Sequence, residues 1–484
     1  MCGICGVVMR EPGRAPDSGR VASMCRTLVH RGPDDDGTRI GDEAALAMRR
    51  LSIIDLEAGH QPIHNEDSTV WTVQNGEIYN YRELRRELEA ARHRFYTHSD
   101  TEVLVHAYEE WGDDFLTRLN GMFAIAIWDR RRRRLLLARD RVGIKPLHWA
   151  LAADRLLFGS EIKALTADPA LPREVDAIAL REYLSHEYVP TPHSILRGVN
   201  KLPPGHLLTF SPGDIEPRID SYWDVDLAAG EAAPEPRDLD AAAADLLSEL
   251  RAAVRREMVS DVPVGVFLSG GIDSSAVAAM MSEVAPGQVQ SFAIGFSDAS
   301  FDESRWARRV AEHLGTQHHE EILEPSMLYD LVPLVTELLD EPMADASIVP
   351  TYLLCRFTRQ HVKVALGGDG GDELFAGYPT LLAHRLAGYY QRLPRALGAG
   401  LVPAVVDRLP VAMGNLSFDY RAKRFVHGAR RPVGDRHRRW MGSFTPEGVQ
   451  ALINPELEVD ADRDAVTEHL AQSAVRDPLH QVLY

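Results

Sequence analysis

The sequence predicts two unlike domains in succession, a strand-rich first half and an α/β second half built on a parallel sheet. Three observations carry this expectation. The chain has 484 residues, more than one hydrophobic core ordinarily organises. Residues 1 to about 225 contain many short strand-like runs with Gly- and Asp-rich turns between them. From residue 241 onward, helix-like and strand-like segments alternate, as they do where helices cover both faces of a parallel sheet.

In order along the chain, "STVWTVQ" (Ser68 to Gln74), "MFAIAIWD" (Met122 to Asp129) and "RLLLARD" (Arg134 to Asp140) are apolar or alternating runs of strand length. The arginines from Arg130 to Arg134 lie between the last two and read as a solvated hairpin turn. Residues 226–240, "DLAAGEAAPEPRDLD", are small, acidic and Pro-bearing, the composition of a linker. An amphipathic helix pattern follows in "LDAAAADLLSELRAAVRREM". Then come a buried strand "VPVGVFLS", a helix "SSAVAAMMSEVA", a strand "VQSFAIGF", a helix "SRWARRVAEHLG" and a strand "HVKVALGG". A second basic stretch, Arg421 to Arg439, fits either a phosphate-facing surface or a solvated helical face.

Composition narrows the function classes. A formal net charge of −18 at pH 7 argues against broad nucleic-acid binding, which works by neutralising phosphates. No apolar run reaches the length of a membrane span, and the N-terminus lacks the basic start and apolar core of a signal peptide. Four cysteines, Cys2, Cys5, Cys25 and Cys355, are too few for a disulfide framework, so a cytoplasmic location is expected.

Two of those cysteines open the chain in "MCGICG". A structural zinc site needs four ligands, and no second CxxC or spaced His pair follows. A thioredoxin-type pair would follow a strand, and nothing precedes this one. The remaining chemistry is nucleophilic catalysis by the terminal residue. Once Met1 is removed, Cys2 carries a thiol beside a free α-amine of pKa about 8, which can accept the thiol proton. Cys5 then reads as a small buried hydrophobe.

Cys2 is followed by "HRGPDDDG" (His30 to Gly37), "RRLSIID" (Arg49 to Asp55), "QNGEIYNY" (Gln74 to Tyr81) and "SDTEVL" (Ser99 to Leu104). Together these segments resemble the glutaminase domain of class II glutamine amidotransferases. The resemblance implies an α+β N-terminal-nucleophile sandwich, antiparallel sheets between helices, over residues 1–225. It implies Cys2 as the nucleophile on the glutamine side-chain amide. Asn75 and the Gly76 N–H match the oxyanion hole, where donors must meet developing negative charge. Arg50 and Asp100 match the residues that hold the substrate α-carboxylate and α-amine, and Leu51, Ile53 and Glu77 complete the glutamine pocket.

In the second half, "SGGIDSS" (Ser269 to Ser275) lies between a strand and a helix, where backbone N–H groups and the helix dipole cradle anions. No GK[ST] follows, so it is not a Walker A loop. "VALGGDGGDELFAGY" (Val364 to Tyr378) places Asp369, Asp372 and Glu373 at the carboxyl end of a predicted strand, where open parallel sheets bind ligands. Three carboxylates so close suit Mg²⁺ and general-base work. With "YVPTP", "KLPPG", "FDES", "AEHLGT" and "DEPMADAS", the chain resembles the glutamine-dependent asparagine synthetase family from end to end.

That resemblance implies an α/β ATP pyrophosphatase domain over 241–484, with ATP and Mg²⁺ required. ATP phosphates would lie on Ser269, Gly270, Gly271, Asp273, Ser274 and Ser275, with Leu268, Ile294, Gly367 and Gly368 also at ATP-binding positions. Asp273 and Asp372 match the metal ligands. The implied reaction forms β-aspartyl-AMP from aspartate and ATP, and ammonia from glutamine then displaces AMP. Asp369 stands where well-known members carry a catalytic Glu, one methylene longer. Arg31 and Met122 match ammonia-passage positions, with core packing an equal reading for Met122. The family leads one to expect small-molecule substrates, no nucleic-acid or membrane partner, and a homodimer.

The chain stops at "HQVLY" inside an apolar-periodic segment without a helix stop signal, whereas members of the family continue. An incomplete synthetase half with an exposed apolar face is therefore expected. The favoured reading is asparagine formation. The alternatives are amidation of another carboxylate in a specialised pathway, and a silent binding or regulatory relative.

Overall fold

The computed structural model describes residues 1–226, 238–298, 301–412, 417–454, 465–472 and 475–483; most of the expected linker, 227–237, lies outside the described residues. The chain forms two compact units. The first contains Met1–Ala179, Thr191–Asp224 and Val259–Val262, and the second contains Leu180–Pro190, Val225–Met258 and Pro263–Tyr484.

The strands of the first unit are β1 (Gly3–Met9), β2 (Asp35–Ile40), β3 (Ala44–Arg50), β4 (Ile63–His64), β5 (Val70–Ile78), β6 (Gly121–Asp129), β7 (Arg134–Arg139), β8 (His148–Ala152), β9 (Arg155–Gly159), β10 (Val199–Lys201), β11 (His206–Phe210) and β12 (Arg218–Ser221). They make two antiparallel six-stranded sheets, ordered β10-β8-β9-β1-β3-β2 and β12-β11-β7-β6-β5-β4. Side-chain alternation decides which layer each residue joins. Ile4 and Val8 of β1 meet Ala124 and Ala126 of β6 in the core between the sheets. Cys5, Val7 and Met9 face the other way, into the core formed with helix Ser18–Arg26. Phe123, Ile125 and Ile127 of β6 pack outward on helices Tyr81–Ala90 and Glu102–Trp111. The result is a four-layer α+β sandwich of the N-terminal-nucleophile type, helix, sheet, sheet, helix. Strands buried on both faces explain the near-continuous apolar runs of the sequence.

The arginine-rich turn is the β6–β7 hairpin connection, as expected, but its charges are tied down as well as hydrated. Arg131 pairs with Asp67 and Arg133 with Glu43, and Arg134 makes two bonds of 2.8 and 2.6 Å to Asp113.

The second unit carries a four-stranded parallel sheet of β13 (Val264–Phe267), β14 (Gln290–Phe296), β15 (Gln317–Leu323) and β16 (Val364–Leu366), ordered β15-β14-β13-β16. Helices Leu239–Glu257, Ile272–Val284 and Ser304–Leu314 bury Val254, Ala278, Met281 and Ala307 against one face. Helices Pro325–Leu338 and Ile348–Thr358 contribute Leu331 and Leu353 to a smaller cluster on β14 and β15. This doubly covered parallel sheet is the α/β arrangement the alternating pattern predicts.

The basic stretch from Arg421 lies on helices Phe418–Gly428 and Val433–Met441. Its cations are mostly engaged within the fold: Lys423 bonds the Leu409 carbonyl, Arg439 pairs with Glu447, and buried Arg436 donates to His384 Nδ1. These partners favour the helical-face reading over a phosphate surface. Helix Pro379–Tyr390 exposes an apolar stripe of Leu382, Leu386 and Tyr389. Among the described residues, no helix is long and apolar enough to cross a membrane.

Candidate active sites

In the first unit, Cys2 enters β1 from a buried position, and its Sγ lies 3.4 Å from the Leu51 backbone N, which donates to it. Its carbonyl accepts from Arg31 Nε at 2.9 Å, and Arg31 pairs with Glu161 at 2.7 Å. Cys2 belongs to the core between the sheets and Cys5 to the core behind β1, so the two thiols face opposite layers and form no CxxC clip. Burial pushes the Cys2 thiol above its usual pKa, partly offset by the Leu51 N–H and the chain-start amine. The α-amine at the chain start is itself lowered to about 6, chiefly by burial. That amine belongs to Met1, whereas the amine a terminal cysteine would use as base is the one Cys2 acquires when Met1 is removed.

Around this thiol the two strands β3 and β5 bring in the other expected residues. Arg50 ends β3 and is held by bonds of 2.8 Å from Nη2 to the carbonyls of Ile54 and Asp55. Asp100 is buried at the start of helix Glu102–Trp111, where its Oδ2 accepts from Ile78 N at 2.8 Å and Gln74 Nε2 at 3.2 Å. Burial raises the pKa of Asp100, and that of Glu77 is raised well above the usual carboxylate range by burial and then by Asp100. Ile53 is half-buried at the edge of the outer core, and its carbonyl accepts from Asp261 N at 3.0 Å.

Asn75 and Gly76 sit within β5, opposite Ala124 and Phe123 of β6. Asn75 is fully buried, yet neither its Oδ1 nor its Nδ2 has a hydrogen-bond partner. A buried amide left unpaired costs free energy, so its retention points to a ligand that completes it. Gly76 has φ +141, and a Cβ there would lie 1.9 Å from the Met122 carbonyl, so only glycine fits.

One residue escaped the sequence reading. Lys145, in "VGIKP", is buried and its ammonium is felt by Cys2 and Glu77. Burial lowers its pKa, and its Nζ lies 3.1 Å from Met1 Sδ. No motif flagged it, because a lone Lys in a turn is ordinarily a surface residue.

In the second unit a cavity of about 510 Å³ opens at the carboxyl ends of β13, β14 and β16. Leu268, Ser269, Gly271, Asp273, Ser274, Ile294, Gly368, Asp369 and Asp372 all line it, with Glu373 and Tyr378 beside them. Gly270, Ser275 and Gly367 do not. Gly270 instead takes φ +84 with its α-carbon turned toward helix Ser304–Leu314, where a Cβ would meet the Trp306 and Ala307 backbone at 2.6 Å. Ser275 points its Oγ into a buried position without a partner. Gly367 lies beside the Asp369 side chain.

The loop before helix Ile272–Val284 is shaped by its own hydroxyls. Ser269 Oγ lies 3.0 Å from Ser274 Oγ and accepts from Gly271 N at 3.2 Å. The loop thus brings Ser269, Gly271, Asp273 and Ser274 at a helix start to the cavity wall, a position suited to phosphate. The second glycine loop presses on the first: a Cβ on Gly371 would lie 2.6 Å from Asp273 Cγ. Asp273 and Asp372 thus present hard oxygen donors to one cavity, a donor set that fits Mg²⁺, which takes one or two carboxylates plus substrate phosphates. Tyr378 Oη donates to Glu373 Oε1 at 2.5 Å, and this bond raises the tyrosine to about 12.

Comparison with known proteins agrees with this two-part architecture. A family model described as "Glutamine amidotransferase domain" matches residues 1–223, and one described as "Asparagine synthase" matches residues 245–484. The chain is 34% identical over 490 residues to "Asparagine synthetase [glutamine-hydrolyzing] 1" of Bacillus subtilis (strain 168), covering 100% of this chain and 74% of that relative. It is 35% identical over 485 residues to "Putative asparagine synthetase [glutamine-hydrolyzing]" of Mycobacterium tuberculosis (strain ATCC 25618 / H37Rv), covering 95% and 74%. It is also 32% identical over 414 residues to "Amidase chry2" of Gibberella zeae, covering 80% and 61%. A cysteine held between two sheets in one unit, a glycine-lined cavity at strand ends in the other, and relatives matched along the whole chain lead to one conclusion: the chain belongs to the glutamine-hydrolysing asparagine synthetase family.

Proposed function

We propose that the chain is a ligase that amidates aspartate to asparagine, using ATP and ammonia drawn from glutamine. The observation that carries this is the presence, in one chain, of a buried thiol and an unpartnered buried amide in the first unit and a phosphate-suited cavity at parallel strand ends in the second. The functional division would follow residues 1–225 and 241–484.

In the first unit, removal of Met1 would leave the Cys2 α-amine to accept the thiol proton as Sγ attacks the glutamine side-chain carbonyl. The oxyanion would be met by Asn75 Nδ2 and the Gly76 N–H, with Arg50 and Asp100 holding the substrate carboxylate and amine and Leu51, Ile53 and Glu77 lining its pocket. Collapse releases ammonia, and water then frees glutamate from the thioester. In the second unit, the β-carboxylate of aspartate attacks the ATP α-phosphorus and pyrophosphate leaves. Ammonia next attacks the β-aspartyl-AMP carbonyl, and AMP departs; Asp369 would accept the proton. Asp273 and Asp372 would hold Mg²⁺, which neutralises charge on the phosphates. All four cysteines are free thiols, which supports a reducing, cytoplasmic setting.

Amidation of a different carboxylate by the same steps is a second reading, favoured by the shorter Asp369 at the cavity. The test is pyrophosphate release with ATP, Mg²⁺ and either glutamine or ammonium, comparing aspartate with other carboxylic acids. Turnover with aspartate alone supports the first reading, and turnover with another acid alone supports the second. Cys2→Ala is expected to abolish glutamine-dependent turnover while ammonium-dependent turnover remains within about twofold, since ammonium bypasses the thiol. No glutamate release from glutamine by the parent chain would overturn the glutaminase assignment.

A further inference from the structure

We propose that Glu66, His93, His106 and Glu109 form a binding site for a divalent transition-metal ion of the zinc class, separate from both sites above. One ligand atom from each of the four lies within 4.8 Å of all the others. They come from three segments: the β4–β5 turn supplies Glu66, the loop after helix Tyr81–Ala90 supplies His93, and helix Glu102–Trp111 supplies His106 and Glu109, one turn apart.

The imidazole of His106 is the observation that points to a ligand. Its side chain is 0% exposed, and neither ring nitrogen has a partner at good hydrogen-bond geometry, the Glu102 carboxylate at 3.5 Å from Nε2 standing at the limit. The nearest carboxylate oxygens stand off at 3.4 Å from Nδ1, on Glu66, and 3.5 Å from Nε2, on Glu102. Those separations are long for a charge-assisted hydrogen bond of about 2.7–2.9 Å. Of the two, only the Glu66 separation joins proposed ligands, and its 3.4 Å matches the edge of a tetrahedral zinc site, about 3.3–3.4 Å for metal-ligand distances of about 2.0–2.1 Å.

Both rings face carboxylates on either side. The Glu66 carboxylate spans the two rings, with Oε1 3.5 Å from His93 Nδ1 and Oε2 3.4 Å from His106 Nδ1. Glu109 Oε2 lies 3.9 Å from that same His106 nitrogen. Each Nε2 has a further carboxylate behind it, Glu110 at 3.5 Å for His93 and Glu102 at 3.5 Å for His106. At 3.5 Å these carboxylates make no hydrogen bond as the side chains stand; closing to hydrogen-bond distance would fix each histidine's tautomer and raise its basicity as a ligand. Glu109 Oε1 is oriented by Asn65 Nδ2 at 2.7 Å. Two neutral imidazoles and two carboxylates suit a borderline cation and leave its charge balanced.

The test uses the full chain stripped with a chelator and titrated with Zn²⁺ alone, followed by calorimetry and thermal melting. One equivalent should bind, and Tm should rise by about 4 °C or more. His93→Gln and Glu109→Gln should each weaken binding by about 100-fold or more, and Glu110→Gln by about tenfold, an outer change that spares the fold if a ligand variant does not. With Co²⁺ in place of Zn²⁺, visible d–d bands of a four-coordinate N/O site should appear without a sulfur charge-transfer band. A sulfur band would place the ion on a cysteine and overturn the proposal. Absence of stoichiometric binding, or binding untouched in all three variants, would show the cluster to be a buried ion-pair network and overturn it equally.

Discussion

Asn75 shows how a single side chain acquires meaning only from its surroundings. In the sequence it is half of an Asn-Gly pair, which commonly marks a turn. In the fold it lies inside β5, fully buried, with both amide atoms unpartnered. Asn75→Ala removes the proposed oxyanion donor without leaving a hydrogen bond broken elsewhere. Glutamine hydrolysis should fall by about 10²–10³ in kcat, with ammonium-dependent pyrophosphate release retained. Steady-state kinetics with each nitrogen source checks this; an equal loss with ammonium would mean that the residue serves folding. Lys145 marks the opposite case, a residue silent in sequence whose buried ammonium stands among the charges around Cys2.

At the scale of the element, the loop from Ser269 to Ser275 was legible as an anion cradle because its glycines and hydroxyls act within a few residues of one another. Which of its members reach the cavity was not legible. Gly270 is required by helix Ser304–Leu314 rather than by the cavity lining, since its φ of +84 and the 2.6 Å approach to Trp306 and Ala307 exclude a side chain. Gly270→Ala should therefore displace the loop by forcing the helix away. Strain of about 1–3 kcal/mol corresponds to a loss of about 5- to 150-fold in ATP-dependent turnover, with glutaminase activity unchanged. The hairpin β6–β7 gives the converse lesson. Its alternating strands and charged turn were both readable, whereas the partners of its arginines, Asp67, Glu43 and Asp113, lie far away in the chain.

Across the whole molecule, both units bury histidines that stay neutral in the fold. Burial lowers His148 to about 3 in the first unit, and it lowers His384 to about 3 and His437 to about 4 in the second. In the unfolded chain each titrates near 6.5. Between those values the unfolded state binds more protons, so stability is full above about pH 6.5 and declines as pH falls toward the folded pKa values. Each such group contributes a slope of up to about 1.4 kcal/mol per pH unit. Urea midpoints measured from pH 7 to pH 4 should fall, and His148→Gln should flatten the dependence of the first unit; a midpoint independent of pH would refute this. The sequence by itself determined the two-part organisation, the strand and helix alternation, and the glycine loops, because periodicity and turn chemistry act between near neighbours in the chain. Only the tertiary structure decided that Cys2 and Cys5 face different layers, that Lys145 lies buried near the thiol, and that Glu66, His93, His106 and Glu109 converge. Those outcomes depend on how sheets and helices pack across long separations, where local spacing carries no information.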